Sequence, residues 1–381
     1  MPTEKKIRIA VLGCGERART VVGHLLKDSG RQVEVASVFD PDAAEMEFVK
    51  TTWETPDAVN CSDAQQAIDA PGVTWAMVFS PNAFHHDHIL AAFEAGKHVF
   101  SEKPLATSID DCVEIYDAYR KSGLRFATGF VLRYSPIYRK VKEMLDSGEF
   151  GHIISINADE NISPRHGSYI MTNWRRHTAL AGPHILEKCC HDLDLINWFV
   201  GSKVSRGASF GGKNFFLPEN NYLRGEKYPA SVFTGWRDPH AVETPFNNDN
   251  DLMDNQISLL EYRNQVRVQF QCTMSNAMPT RRMYLGCSEG TIEVELYNHL
   301  IRCRRVGSTE ENTIDFKKLD GHGGGDEVIM KELFATMTTG AQPKCSGDEG
   351  LESAVVALGL DTAAKGTGIF DFEPVWKRLG R

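Results

Sequence analysis

Long apolar runs are missing from this sequence of 381 residues: no uninterrupted stretch approaches the roughly 20 residues of a membrane span. The start, MPTEKKIRIAVLGCG, lacks the basic region, apolar segment and small-residue cleavage site of a secretory signal, so none is expected. A surplus of positive charge is also missing. The 42 Lys and Arg face 51 Asp and Glu, and a net charge of −9 argues against non-specific binding to nucleic acid. The nine cysteines are odd in number and scattered, with no C-x-x-C pair. That usage suits a reducing compartment better than a disulfide scaffold. A soluble cytoplasmic protein without membrane or nucleic-acid partners is expected.

What is present in the first third is an alternation of strand and helix. KIRIAVLG is a β-rich run ending in glycines, a helical stretch follows near 16–28, and VEVASVFD ends on Asp40. WAMVFS at 75–80, KHVF at 97–100 and RFATGF near 125–130 continue the series. Apolar strands each followed by a crossover helix predict a parallel sheet covered on both faces.

The first turn, GCGERA at 13–18, carries a dinucleotide fingerprint. Gly13 and Gly15 permit a tight turn and close backbone approach to a pyrophosphate at the next helix N-terminus, with Ala18 in the third glycine position. The same turn makes Glu16 and Arg17 cofactor-side candidates. Asp40, ending the second strand, suits a ribose 2′-hydroxyl and repels a 2′-phosphate, favouring NAD over NADP. Arg17 and Arg19 pull the other way, since a basic residue serves a 2′-phosphate.

Beyond residue 130 the texture changes. YSPIYRKVKEMLDSGEFG contains an amphipathic helix, and HIISINADE resembles a half-buried strand. QISLLEYRNQVRVQFQCTMS and TRRMYLGCSEGTIEVELY alternate and turn at Arg–Asn and Glu–Gly, predicting a largely antiparallel sheet. Residues 211–230 and 236–254, rich in Gly, Asn and Pro, read as long loops at a substrate mouth or subunit interface. The fold class expected is α/β. A Rossmann domain over 1–130 precedes an α+β substrate-binding and oligomerisation domain over 131–381 with a large, mostly antiparallel open sheet.

AGPHILEKCCHDLDLINWFVG reads as one helix, which puts Glu187, His191 and Asp194 near one face. His184, three positions before Glu187, reaches the substrate or caps the helix. Adjacent helical cysteines point about 100° apart, so Cys189 and Cys190 read as small core residues and no metal is expected.

SPNAFHHDHILAAFEAGKHVFSEKPLA at 80–106 resembles a signature of the glucose–fructose oxidoreductase, inositol dehydrogenase and rhizopine-catabolism (Gfo/Idh/MocA) family. GCGERAR, RYSP at 133–136, SGEFGHI at 147–153, WRR at 174–176 and HDLD at 191–194 extend the resemblance along the chain. It implies cofactor contacts from Ser80, Asn82, His85, Glu102 and Lys103. The family's catalytic lysine maps onto Lys103 and its catalytic histidine onto His191, with Glu187 where the family usually has Asp. Tyr134, Trp174 and Arg175 fall at substrate positions, where Arg holds oxygens and Trp packs a sugar face.

The function implied is NAD-dependent oxidation, or the reverse reduction, of a hydroxyl on a sugar, sugar derivative or inositol. A second reading is glycoside cleavage through a transient keto-sugar. A third is a dinucleotide-binding protein without catalysis. A homodimer or homotetramer is implied as well.

Overall fold

The computed structural model describes residues 6–381 apart from 237, 239, 318, 320, 321 and 367. The chain divides into two compact units, one of residues 1–134 with 324–354, the other of 135–323 with 355–381. The division is thus not made at a single point near 130: residues 131–134 and 324–354 go with the N-terminal unit. A segment that rejoins the first unit some 190 residues later carries no mark in its own sequence.

The first unit is built on six parallel strands: β1 (Ile7–Leu12), β2 (Val33–Phe39), β3 (Val59–Asn60), β4 (Val73–Val78), β5 (His98–Ser101) and β6 (Phe126–Thr128). Their order is β3-β2-β1-β4-β5-β6, the doubly wound order in which the strand sequence reverses beside β1. Ile9, Val11, Leu12, Ala76, Met77, Val78, Val99 and Phe100 are buried. These strands read as continuous apolar runs because helices cover both faces. Helix α1 (Glu16–Asp28) returns from β1 to β2 and buries Ala18, Val21, Val22, Leu25 and Leu26. Helix α2 (His85–Glu94) follows β4.

The second unit carries nine strands: β7 (Ile153–Asn161), β8 (Val204–Gly212), β9 (Asn255–Tyr262), β10 (Arg267–Thr273), β11 (Thr280–Cys287), β12 (Gly290–Glu295), β13 (Leu300–Arg305), β14 (Asn312–Asp315) and β15 (Ile369–Asp371). Their order is β14-β13-β12-β11-β7-β10-β9-β8-β15. Only β7 and β10 pair in parallel, so the expected mostly antiparallel sheet is present. Strand β9 alternates buried and exposed residues along its length, the signature of a sheet with one covered face. Helix α3 (Pro164–Thr172) follows β7, and helices α4 (His184–Glu187) and α5 (Cys190–Val200) come next.

Candidate active site

In the first unit the candidate residues gather at the carboxyl ends of β1, β2, β4 and β5. Gly13 follows β1 with φ +95, and a Cβ there would meet the Phe79 and Ser80 backbone at 2.6–2.8 Å. Only glycine fits so close an approach. Gly15 caps α1, whose first backbone N–H groups receive no side-chain cap, and a Cβ at Gly15 would enter open space. Open space beside uncapped backbone N–H groups is a cradle of the polarity that a pyrophosphate requires. Glu16 is exposed on the first turn of α1, and Ala18 is fully buried beneath it.

Asp40 follows β2 and braces the cradle: its carboxylate accepts from the Cys14 N–H at 2.8 Å and from the Asp42 N–H at 2.9 Å. A carboxylate has about four acceptor positions, so two bonds leave capacity for a ribose hydroxyl.

After β4, the Ser80 hydroxyl lies 3.0 Å from His88 Nδ1, and Asn82 is buried at the start of a short turn, Asn82–Phe84. His85 is completely buried, with Nδ1 2.7 Å from the Pro104 carbonyl and Nε2 2.9 Å from the Ser80 carbonyl. Donation to both needs an imidazolium, but burial outweighs the attraction of the carbonyls and of Glu102 and pushes the ring's pKa down. We read His85 as neutral. It ties the loop after β4 to the loop after β5 from inside the protein.

Glu102 and Lys103 follow β5. The buried Glu102 carboxylate pairs with Arg17 Nε at 2.6 Å and accepts the Lys103 backbone N–H at 3.2 Å. Arg17 also reaches Asp326 at 2.5 Å, and Arg19 pairs with Glu45 and lies 4.3 Å over the Phe48 ring. Both arginines that sequence reading held open for a 2′-phosphate have carboxylate partners within the unit. Tyr134 donates its hydroxyl to Glu332 at 2.8 Å. Asp326 and Glu332 lie in the rejoining segment, on helix α6 (Gly325–Thr339), and no local pattern marks them.

The second unit holds the remaining candidates, and one expectation fails there. The segment around EKCCHDLD is two helices: α4 ends at Glu187, Lys188 and Cys189 intervene, and α5 starts at Cys190. The Lys188 N–H closes onto the His184 carbonyl, whereas those of Asp192 and Leu193 go to the Cys189 carbonyl, so the ladder restarts. The spacing argument therefore does not hold for Glu187 and His191, which sit on different helices. It holds for His191 and Asp194, both on α5. His184, Glu187, His191, Asp192 and Asp194 are all nearly inaccessible.

Glu187 is tied to Arg175, whose Nε donates to Oε1 at 2.8 Å and whose Nη1 donates to the Tyr169 hydroxyl at 3.2 Å. The guanidinium lies 4.3 Å over the Trp174 ring and 5.5 Å over that of Tyr169. Three candidates, Trp174, Arg175 and Glu187, thus form one group, which Tyr169 joins without a sequence signal.

Beneath α5, Arg281 of β11 grips Asp192 with two bonds of 2.8 Å and comes within 2.9 Å of Glu160. His191 has a neighbour that sequence reading missed: the His322 ring, 6.2 Å away between centroids. The run GHGGGD at 321–326 was the signal available for it.

Cys189 and Cys190 diverge, as expected of neighbours in a helix-like turn. Cys189 turns toward His184 and Cys272, and the three possible ligand atoms lie within 4.8 Å of one another, the one such group among the described residues. Burial first, and then Cys272, push the Cys189 thiol well up.

Comparison with known proteins agrees with this geometry. Residues 7–130 match the family model described as an oxidoreductase family with an NAD-binding Rossmann fold, and residues 138–293 match the GFO/IDH/MocA C-terminal domain. YteT of Bacillus subtilis (strain 168) is 21% identical over 383 aligned positions, covering 86% of this chain and 88% of that one. Inositol 2-dehydrogenase of Acidothermus cellulolyticus (strain ATCC 43068 / DSM 8971 / 11B) is 29% identical over 56% of this chain and 59% of its own length. The solved structure of levoglucosan dehydrogenase with NADH and levoglucosan has the same fold, with a TM-score of 0.81 at 15% identity, covering 97% of this chain and 100% of that one. A glycine cradle on an NAD-binding Rossmann domain, followed by a C-terminal domain of matching type, defines the assignment: this chain belongs to the Gfo/Idh/MocA oxidoreductase family.

Proposed function

We propose that the protein oxidises a hydroxyl of a sugar, sugar derivative or inositol in an NAD-dependent reaction that also runs in reverse. The observation that carries this reading is the convergence of Gly13, Asp40, Ser80 and Lys103 on the ends of β1, β2, β4 and β5. The crevice outside such strand ends is where open α/β sheets bind ligands. NAD, when bound, supplies the hydride acceptor. The backbone of 13–16 and the α1 N-terminus would hold its pyrophosphate, and Asp40 its adenosine ribose.

Lys103 then stabilises negative charge on the reacting oxygen, and His191 takes the hydroxyl proton, or returns it in the reduction. Glu187, fixed by Arg175, supplies a carboxylate of set position in the same segment as His191. Lysine and histidine suffice for this chemistry, so no metal is required. NAD preference over NADP is supported by Asp40 and by the carboxylates already paired with Arg17 and Arg19. A reducing compartment such as the cytoplasm suits nine buried cysteines held outside any disulfide. No helix among the described residues is long and apolar enough to cross a membrane.

The test is a panel of polyols, sugars and glycosides followed for NADH, with the wild type compared with Lys103→Ala and His191→Ala. Each variant is expected to lose at least about 10²-fold in the hydride step while keeping its NAD affinity. Their penalties should be non-additive, since each group acts at the same oxygen. NADP in the same titration should bind at least about tenfold more weakly. A variant with near wild-type hydride transfer would remove that residue from the chemistry.

A further inference from the structure

Two of the buried cysteines, Cys189 and Cys272, meet although they lie far apart in the chain. Cys189 belongs to the turn between α4 and α5, whereas Cys272 lies on β10, a central strand flanked by β7 and β9. Burial alternates along β10 and puts Cys272 on the covered face of the sheet, beside Val268 and Phe270. Its register partner on β7 is Glu160, so both side chains leave the sheet on that face. The third member is His184 at the start of α4, whose Nε2 lies 4.0 Å from the Cys189 sulfur. The three possible ligand atoms all lie within 4.8 Å of one another, and none of the three residues is more than 3% exposed.

Burying an imidazole costs free energy unless its nitrogens are well bonded, and thiols are weak donors and acceptors. A cation shared by all three groups offsets that cost. Tetrahedral bonds of about 2.3 Å to sulfur and about 2.0 Å to nitrogen put ligand atoms roughly 3.5–3.8 Å apart. The His184–Cys189 separation therefore has only a few tenths of an ångström to close. Two thiolates and an imidazole select a soft or borderline metal over magnesium or calcium. Charge narrows the choice further. The carboxylates of Glu160 and Asp192 act on Cys189, and the cations Lys188 and Arg281 already face those two carboxylates. A divalent ion cancels two thiolates and leaves the filled site neutral, whereas a monovalent ion would leave a net negative charge in the interior.

We propose that His184, Cys189 and Cys272 form a Zn²⁺ site that pins the turn between α4 and α5 to β10. Three protein ligands leave the fourth position to a small ligand such as water. The metal deprotonates a coordinating thiol outright, so filling the site releases two protons and tightens as pH rises. Glu187 and His191 lie on either side of Cys189, so the ion fixes their spacing and takes no part in the hydride step. The site uses residues of the second unit alone and stands whether or not the protein is a dehydrogenase. Adjacency in the sequence hides it: Cys190 turns its sulfur to the Glu187 carbonyl, and the second sulfur comes from a strand outside the motif.

The full chain, purified under reducing conditions and stripped with a chelator, is titrated with Co²⁺ as a spectroscopic probe and then with Zn²⁺. One Co²⁺ per chain should bind, with thiolate-to-metal charge-transfer absorption and the visible bands of a tetrahedral ion, and Zn²⁺ should remove both signals. Zn²⁺ should also raise the thermal midpoint and release protons. Cys189→Ser and Cys272→Ser should each weaken Co²⁺ binding by at least about 10²-fold, whereas Cys190→Ser should leave it intact. Circular dichroism checks the folding of each variant, and the wild-type spectrum decides the question where a variant does not fold. A wild type without thiolate charge transfer at one equivalent of Co²⁺ overturns the site. So does a spectrum that survives the loss of either cysteine in a folded variant, or a Cys189–Cys272 disulfide that forms in the presence of equimolar Zn²⁺.

Discussion

Arg281, Asp192 and Glu160 are among the most deeply buried charges in the second unit, at 2%, 1% and 0% exposure, with Asp192 on α5 and its two partners on β11 and β7. One guanidinium faces two carboxylates, with Lys188 3.5 Å from Glu160 as a second, partly exposed cation. Burial, with the charge of Glu160 behind it, lifts the Asp192 carboxyl to about 6 against the pull of Arg281. Arg281 itself is held well up by the same two carboxylates despite its burial.

Arg281→Met should cost about 3–5 kcal/mol of stability in denaturant melts, because it strands two buried carboxylates. The pH dependence has a definite sign. Unfolded Asp192 titrates near 3.9, so between roughly 4 and 6 the folded state holds more protons. Its contribution to stability is fully present below the unfolded value and lost as pH rises through about 6. The stability difference between wild type and Asp192→Asn should favour the wild type more at pH 4.5 than at pH 7, and a difference that does not change with pH would contradict this assignment.

None of the network was legible residue by residue: Arg281 and Asp192 are 89 positions apart. The places of Gly13, Asp40 and Ala18 were legible, because a tight turn from strand to helix constrains residue type within a few positions. Glu187 was half legible. Its place in the motif was plain, but its partner, Arg175, comes from a turn that the motif does not contain.

At the scale of elements, β3, β8, β13 to β15, α3 and α6 went unread, whereas β1, β2, β4 to β7 and β9 to β12, with α1 and α2, followed from apolar runs and alternation, since a parallel sheet needs unbroken apolar runs and a half-covered sheet needs alternation. The break between α4 and α5 did not, because EKCCHDLD contains neither Gly nor Pro. The lobe between β8 and β9, which buries Phe216, Leu223, Phe233, Phe246 and Leu252, was read as loops for a related reason: a core built on turns and short 3₁₀ segments has no period to detect.

Asp254 acts as the anchor of that lobe. Its buried carboxylate accepts the N–H groups of Phe215 and Phe216 at 2.8 Å each and of Asn214 at 3.2 Å. Asp254→Ala leaves buried donors unpaired and should cost about 1.5–3 kcal/mol, concentrated in the lobe. Limited proteolysis should then cut within 213–254 while the sheet's amide protons remain protected from exchange. Uniform loss of protection through the second unit would show that the lobe is not a separate cooperative element.

For the whole molecule, the outer face of the nine-stranded sheet is the feature that monomeric proteins avoid. Register places Ile369, Ala208, Leu259, Gln269, Asn157 and Tyr284 in one row across six strands, from β15 to β11. The next row begins with Phe210 opposite Ile257. Of these, Ile369 is 69%, Leu259 57%, Phe210 76% and Ile257 47% exposed. The exposed apolar residues on β15, β8 and β9 of this open face fit burial against a second copy, and a dimer or tetramer is the proposed assembly. In a two-fold interface each residue of the row meets the same surface of its mate, so one substitution places two like charges in the contact. Leu259→Glu changes a side chain that the isolated chain already exposes, and surface changes of that kind usually alter stability by less than about 0.5 kcal/mol. Sedimentation at micromolar concentration should therefore find a dimer or tetramer for the wild type and a shift towards monomer for Leu259→Glu, with an unchanged circular dichroism spectrum. A wild type that sediments as a monomer, or a variant that keeps its assembly, would mean that the strip faces solvent and that any contact between copies uses another surface.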